Sequence, residues 1–166
     1  WAAMQDVETV LLTSEFSVDG LVAQVDRCKP STLQIVDTPE EGAYAALRAA
    51  HPALNLIQVV HVEDDTALAQ ALEVEPHVDA VLLDSGHPNA AIPELGGTGR
   101  AHDWFISAKI VSALKKPVFL AGGLSADNAA AAIAIVRPHG LDLCSSVRTG
   151  DCLDPLKLTA FFRAIA

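Results

Sequence analysis

Positive charge is in short supply in this chain. Eleven Lys and Arg stand against twenty-one Asp and Glu, a formal net charge of −10. No basic cluster is longer than Lys115-Lys116. A surface that neutralises phosphates needs clustered Lys and Arg, so neither nucleic acid nor an anionic membrane is an expected partner. Long apolar runs are missing too. None approaches the roughly 18–20 residues a membrane helix needs. Residues 1–6 contain no basic segment followed by an apolar one, so no signal peptide is predicted. Cysteine is sparse and odd in number: Cys28, Cys144 and Cys152 form no C-x-x-C pair. This argues against a disulfide framework and for a reducing, cytoplasmic setting with three incidental thiols. The six histidines show no paired-ligand spacing, so no metal site is expected. Only His61 ends a predicted strand, where a site residue can sit.

What is abundant is aliphatic. Hydrophobic residues make up 51% of the 166 positions, mainly Ala, Val and Leu. Parallel strands covered by helices produce that composition, because both faces of the sheet are hidden. The pattern agrees. Short β-rich runs at residues 8–13, 32–36, 54–62, 80–83, 117–121 and 140–144 alternate with helical stripes. The helices are predicted after Ser17, over residues 41–50, after Asp64 and Asp65, over 104–114, from about 126 to 137, and over 153–165. Ser17 and Asp154 read as N-caps, with Pro155 at the first helical position. No linker, low-complexity tract or second domain interrupts the series. The expectation is one α/β domain over residues 1–166, with six β/α units. Two architectures use such a repeat: an open doubly wound sheet, or a (β/α)8 barrel, which usually needs eight units and about 200 residues or more.

Four motifs carry candidate chemistry, and each falls where a strand gives way to a loop. In parallel α/β folds that end of the sheet is the functional face. Leu82-Leu83-Asp84-Ser85 ends a buried strand in a carboxylate. Strand-end pockets are partly apolar and disfavour a carboxylate's charge, which suits a proton donor. The plain alternative is a loop Asp bonding nearby amides. Gly96-Gly97-Thr98-Gly99-Arg100 leads to Asp103 and Trp104, and lacks the Lys-Ser/Thr of a P-loop. Ala121-Gly122-Gly123-Leu124-Ser125 follows a strand and precedes a helix, so its amides are free to face an anion. Asp142-Leu143-Cys144-Ser145-Ser146-Val147 closes the last strand. In barrel enzymes the loops after the last two strands commonly cradle a phosphate, which favours a barrel here.

In this order the four motifs resemble the phosphoribosylanthranilate isomerase family of tryptophan biosynthesis. Its members read L-L-D-[ST], G-G-[ST]-G-[KR]-x-x-D-W, [AS]-G-G-L-x-x-x-N and V-R-P-x-G-[VL]-D-[VL]-x-S-G-V-E. The matching residues are 82–85, 96–104, 121–128 and 136–147. The resemblance implies a (β/α)8 TIM-barrel type of fold and an isomerase of the aldose-ketose type. The reaction is the Amadori rearrangement of N-(5-phosphoribosyl)anthranilate, without metal or organic cofactor, in a monomer or homodimer. It implies Asp84 as the general acid that protonates the ribose ring oxygen. Gly122, Gly123, Ser145 and Ser146 hold the phosphate, and Gly97, Gly99 and Asp142 contact the substrate.

The sequence departs from that pattern in four places. The family opens on a strand reading K-I-C-G-[IL]-T, whose Cys is the general base, and its second unit supplies an Arg for the anthranilate carboxylate. Neither segment occurs here, so the six units correspond to the family's third through eighth and two units are expected before Trp1. The family's Q-L-H-G is Gln34-Ile35-Val36-Asp37. Its S-G-V-E is Ser145-Ser146-Val147-Arg148, and a serine in place of that glycine hinders a phosphate if φ is positive there. Two further readings follow from these departures. One is a non-catalytic, phosphate-ester-binding relative of the same barrel. The other is an open α/β protein that assembles through its strand edges.

Overall fold

In the computed structural model, residues 7–85 and 103–166 are described. β1 (Val10–Thr13), β2 (Thr32–Ile35), β3 (Asn55–His61), β4 (Ala80–Asp84), β5 (Val118–Leu120) and β6 (Gly140–Leu141) form one parallel sheet. Their order in the sheet is their order in the sequence. A doubly wound sheet reverses direction at a switch point, and this one does not. The intervening helices are α1 (Val18–Cys28), α2 (Ala43–Ala50), α3 (Thr66–Val74), α4 (Trp104–Ala113) and α5 (Ala129–Val136), with α6 (Pro155–Ala164) last. Crossovers of one hand between strands laid down in order put every helix on the same side. The result is an arc of a β/α barrel. Among the described residues β6 does not pair with β1.

Alternation along each strand divides the core in two. Leu33, Ile35, Leu56, Val60, Val81, Leu83 and Leu120 point outward to the helices and build the large cluster with Leu21, Leu47 and Ile110. Val59, Leu82 and Ala121 point inward and form a smaller cluster with Val36, Ile57 and Phe119. His61 and Asp84, in step with Val59 and Leu82, therefore lie on the inner face at the strand ends.

The predicted caps form. Ser17 Oγ accepts the Gly20 N–H, and Asp154 accepts those of Leu156 and Lys157. The edge elements are shorter than the sequence pattern predicts. β1 begins at Val10 and β6 ends at Leu141, and among the described residues each pairs on one side only. The closing helix starts at Pro155 rather than residue 153: β7 (Arg148–Thr149) and β8 (Cys152–Leu153) make a small antiparallel hairpin there. Gly150 and Asp151, with φ of 53° and 62°, form its turn.

Candidate active site at the strand ends

Asp84 terminates β4 and is 8% exposed. Its Oδ1 accepts the backbone N–H of Ser85 at 2.7 Å, which fixes the carboxylate against its own strand end. Its register partner on β3 is His61. Both side chains leave the inner face, so imidazole and carboxylate stand side by side on neighbouring strands. His61 Nε2 lies 3.2 Å from the carbonyl oxygen of Val36, at the end of β2. A carbonyl only accepts, so Nε2 carries the proton in that bond. His61 Nδ1 is buried and has no hydrogen-bond partner.

The next strand end supplies the glycine turn. Ala121 N–H donates to Leu83 O at 2.7 Å, extending β5 against β4. Gly122 then adopts φ +83° and Gly123 φ +62°. A β-carbon on Gly122 would lie 2.6 Å from Ser85 Oγ and 2.9 Å from the Ser85 nitrogen. Glycine is therefore required twice at this position, for its backbone conformation and for the close approach. Asn128 locks the turn from the far side. Its Oδ1 accepts the Ser125 N–H at 2.8 Å and its Nδ2 donates to Gly123 O at 2.9 Å.

Beyond β6, Asp142 N–H donates to Leu120 O at 2.8 Å. Its carboxyl is pushed above the ordinary carboxylate value, first by partial burial and second by the charge of Asp84. Much of the residue remains in water, which screens that charge. The two carboxylates are close enough to feel each other. Ser145–Val147 form a single 3-10 turn. Ser146 is absent from the positive-φ residues, so its side chain meets no backbone penalty. The conflict expected from replacing a glycine there does not arise. Ser146 Oγ is buried without a partner.

The structure thus gathers Asp84, Gly122, Gly123 and Asp142 at adjacent strand ends, with the Ser145–Ser146 turn following the last strand. Gly97 and Gly99 lie outside the described residues. Asp103, at the end of their motif, caps α4 by accepting the Phe105 N–H at 2.9 Å. In the sequence Asn128 is only a motif letter, and its clamp on the glycine turn needs the folded turn to be seen. His61 stands out in the sequence as the histidine at a strand end, and its register with Asp84 is a tertiary fact. A cavity of about 800 Å³ lies over the ends of β2 and β3 and between α2 and α3, with His61, Asp37, Gln58 and Tyr44 among its lining.

Comparison with known proteins supplies the context. The family model described as N-(5'-phosphoribosyl)anthranilate (PRA) isomerase matches residues 4–164. The N-(5'-phosphoribosyl)anthranilate isomerase of Haloferax volcanii is 37% identical over 164 residues, covering 98% of this chain and 70% of that protein. The phosphoribosyl anthranilate isomerase of Thermococcus kodakaraensis superposes with a TM-score of 0.76 at 26% identity, over 96% of this chain and 75% of that one. A phosphoribosyl anthranilate isomerase solved with reduced 1-(o-carboxyphenylamino)-1-deoxyribulose 5-phosphate gives 0.71 at 19% identity, covering 96% and 71%. The sequential sheet is thus the barrel type of those structures, and the chain belongs to the N-(5'-phosphoribosyl)anthranilate isomerase family.

Proposed function

We propose that this site isomerises N-(5'-phosphoribosyl)anthranilate to the corresponding 1-amino-1-deoxyribulose 5-phosphate, with Asp84 as the general acid. The observation that carries the reading is a family match over residues 4–164 whose strand ends hold a buried carboxylate beside a glycine turn. Asp84 delivers a proton to the ribose ring oxygen as the C1–O bond breaks, and the nitrogen lone pair forms the C1=N iminium. Loss of the C2 proton then gives an enolamine, which becomes the ketone. Burial and the charge of Asp84 raise the carboxyl of Asp142, so Asp142 holds its proton to higher pH than a lone carboxylate.

The phosphate end is assigned to Gly122, Gly123, Ser145 and Ser146. Amides of a positive-φ glycine turn form an anion-binding concavity without any net positive charge, which suits a chain of net charge −10. Fixing the phosphate orients the ribose toward Asp84. The substrate is the proposed partner, neither nucleic acid nor membrane lipid is, and the enzyme works in the cytoplasm as a monomer or homodimer. Among the described residues no helix is long and apolar enough to cross a membrane.

The test is turnover of N-(5'-phosphoribosyl)anthranilate, followed by loss of its fluorescence. Asp84→Asn is expected to lower kcat by about 10²–10⁴-fold, the usual worth of a positioned acid, while a phosphorylated product analogue still binds. Binding of the analogue with no turnover by the unaltered protein would replace this reading with the non-catalytic one.

A further inference from the structure

The outer layer of helices has a gap. α1 and α2, α3 and α4, and α4 and α5 pack side by side, while α2 and α3 stand apart. The cavity of about 800 Å³ fills that gap, and Asp84 is not among its lining. Its floor breaks the pattern of the layer. Leu56 and Val60 face the helices, as outward positions of a buried strand do. Gln58 stands between them on the same face and is only 3% exposed. A buried amide is costly unless its polar atoms find partners. Gln58 Nε2 donates to the carbonyls of Asp37 and Val59 at 3.1 and 3.0 Å, which uses both of its N–H groups. Its Oε1 accepts the Tyr44 hydroxyl at 2.8 Å. What the floor still has to offer is therefore acceptors alone: a second lone pair on Gln58 Oε1 and the lone pairs of the Tyr44 oxygen. Tyr44 is held in place by His77 of the 3-10 turn Glu75–His77, on which its ring stacks at 5.5 Å. His61 also borders the cavity, and its Nδ1 is buried without a partner while Nε2 faces the Val36 carbonyl.

The rim repeats the preference of the floor. Glu41, just before α2, and Glu73, on α3, are exposed at its edge, and neither is paired with a Lys or Arg among the described residues. No Lys or Arg lines the cavity among those residues either. Burial first, and the charge of Glu73 second, push the Tyr44 phenol up to about 12. Tyr44 therefore keeps its proton on Gln58, and its oxygen stays neutral.

We propose that the cleft between α2 and α3 is a second binding site, separate from Asp84 and the glycine turn, for a small organic cation with primary ammonium groups, such as an aliphatic diamine. An ammonium has three donors and no acceptor, the complement of this floor. The rim carboxylates attract its charge, and Ala45 and Val74 border the space for its carbon chain. The volume falls in the range of small-molecule sites, about 300–1,000 Å³. A bare metal ion fits less well, because among the described residues no three His, Cys, Asp or Glu side chains converge to hold one. A phosphate ester meets only carboxylates here, so the cleft is no extension of the phosphate site. The inference does not depend on the isomerase reading.

Calorimetric titration of the intact protein with putrescine tests the site, with butanediol as the uncharged control and magnesium chloride as the inorganic one. Saturable one-to-one binding of putrescine is expected, with no binding of the diol. Glu73→Gln removes a rim charge at an exposed position and leaves the fold alone, as melting temperatures will check. Tyr44→Phe removes the phenolic oxygen from the floor. Each is expected to weaken putrescine binding about tenfold, the worth of a hydrogen bond to a charged group. In the unaltered protein the side-chain amide signals of Gln58 are expected to shift on saturation, a readout that needs no variant to fold. No saturable binding, an equal response to magnesium, or unchanged affinity in both variants overturns the proposal. Displacement of putrescine by a phosphorylated product analogue also overturns it, because it puts the amine at the Asp84 end.

Discussion

The inner face of the sheet differs between its centre and its β1 edge. At the centre Val59, Leu82 and Ala121 are 6%, 4% and 5% exposed; at the edge Val10 and Leu12 are 47% and 59% exposed. The same period-two alternation places all five residues, so sequence pattern decides which face a side chain takes and neighbours decide whether it is dry. The candidate chemistry follows the dry part. Asp84 and His61 cap the two central strands, next to Val59 and Leu82, where less water competes for the carboxylate and the imidazole.

That contrast can be tested by truncation. Leu82→Ala is expected to cost about 2–5 kcal/mol, the range for a buried leucine whose cavity does not collapse, read from the denaturant midpoint. Gly122→Ala comes next. It forces a β-carbon against Ser85 at a φ of +83°, so a loss of about 1–3 kcal/mol is expected, together with weaker binding of a phosphate ester measured by calorimetry. A smaller effect attaches to Asp142. Its folded carboxyl is raised, so its contribution to stability is present below the ordinary value of 3.8 and is lost as pH climbs through the raised folded value. Melting temperatures taken across that range should show Asp142→Asn gaining on the unaltered protein as pH increases. Equal curves would mean that the carboxyl is not displaced. Leu12→Ala should change stability by no more than about 0.5 kcal/mol. A loss as large as that of Leu82→Ala would erase the distinction between centre and edge.

Much of this arrangement was legible in the residues. The six β/α units, the Ser17 and Asp154 caps, and the strand-end placement of Asp84 follow from periodicity and local hydrogen bonding, which act within a few residues. The choice between barrel and doubly wound sheet does not, because strand order is decided by packing between distant segments; the repeat is the same in both. The β7–β8 hairpin was missed for a different reason. Two-residue strands carry no periodic signal, and only Gly150-Asp151 between Thr149 and Cys152 marks the turn. The partnership of His61 with Asp84 is a matter of register, which no count of histidine spacings reaches. Gly97 and Gly99 fall outside the described residues.

Asn128 has a consequence that reaches past the turn it holds. It sits at the N-cap position of α5 while both ends of its side chain grip residues 123 and 125. The conformational entropy of the glycine turn is therefore surrendered when α5 docks, before any ligand arrives, and the phosphate proposed to bind there would meet a turn already set. The linkage also runs in reverse. If the proposed phosphate assignment holds, a ligand on the turn would resist fraying of the first turn of α5, and its occupancy would be read on the helical side of the sheet as slower amide exchange at the start of that helix.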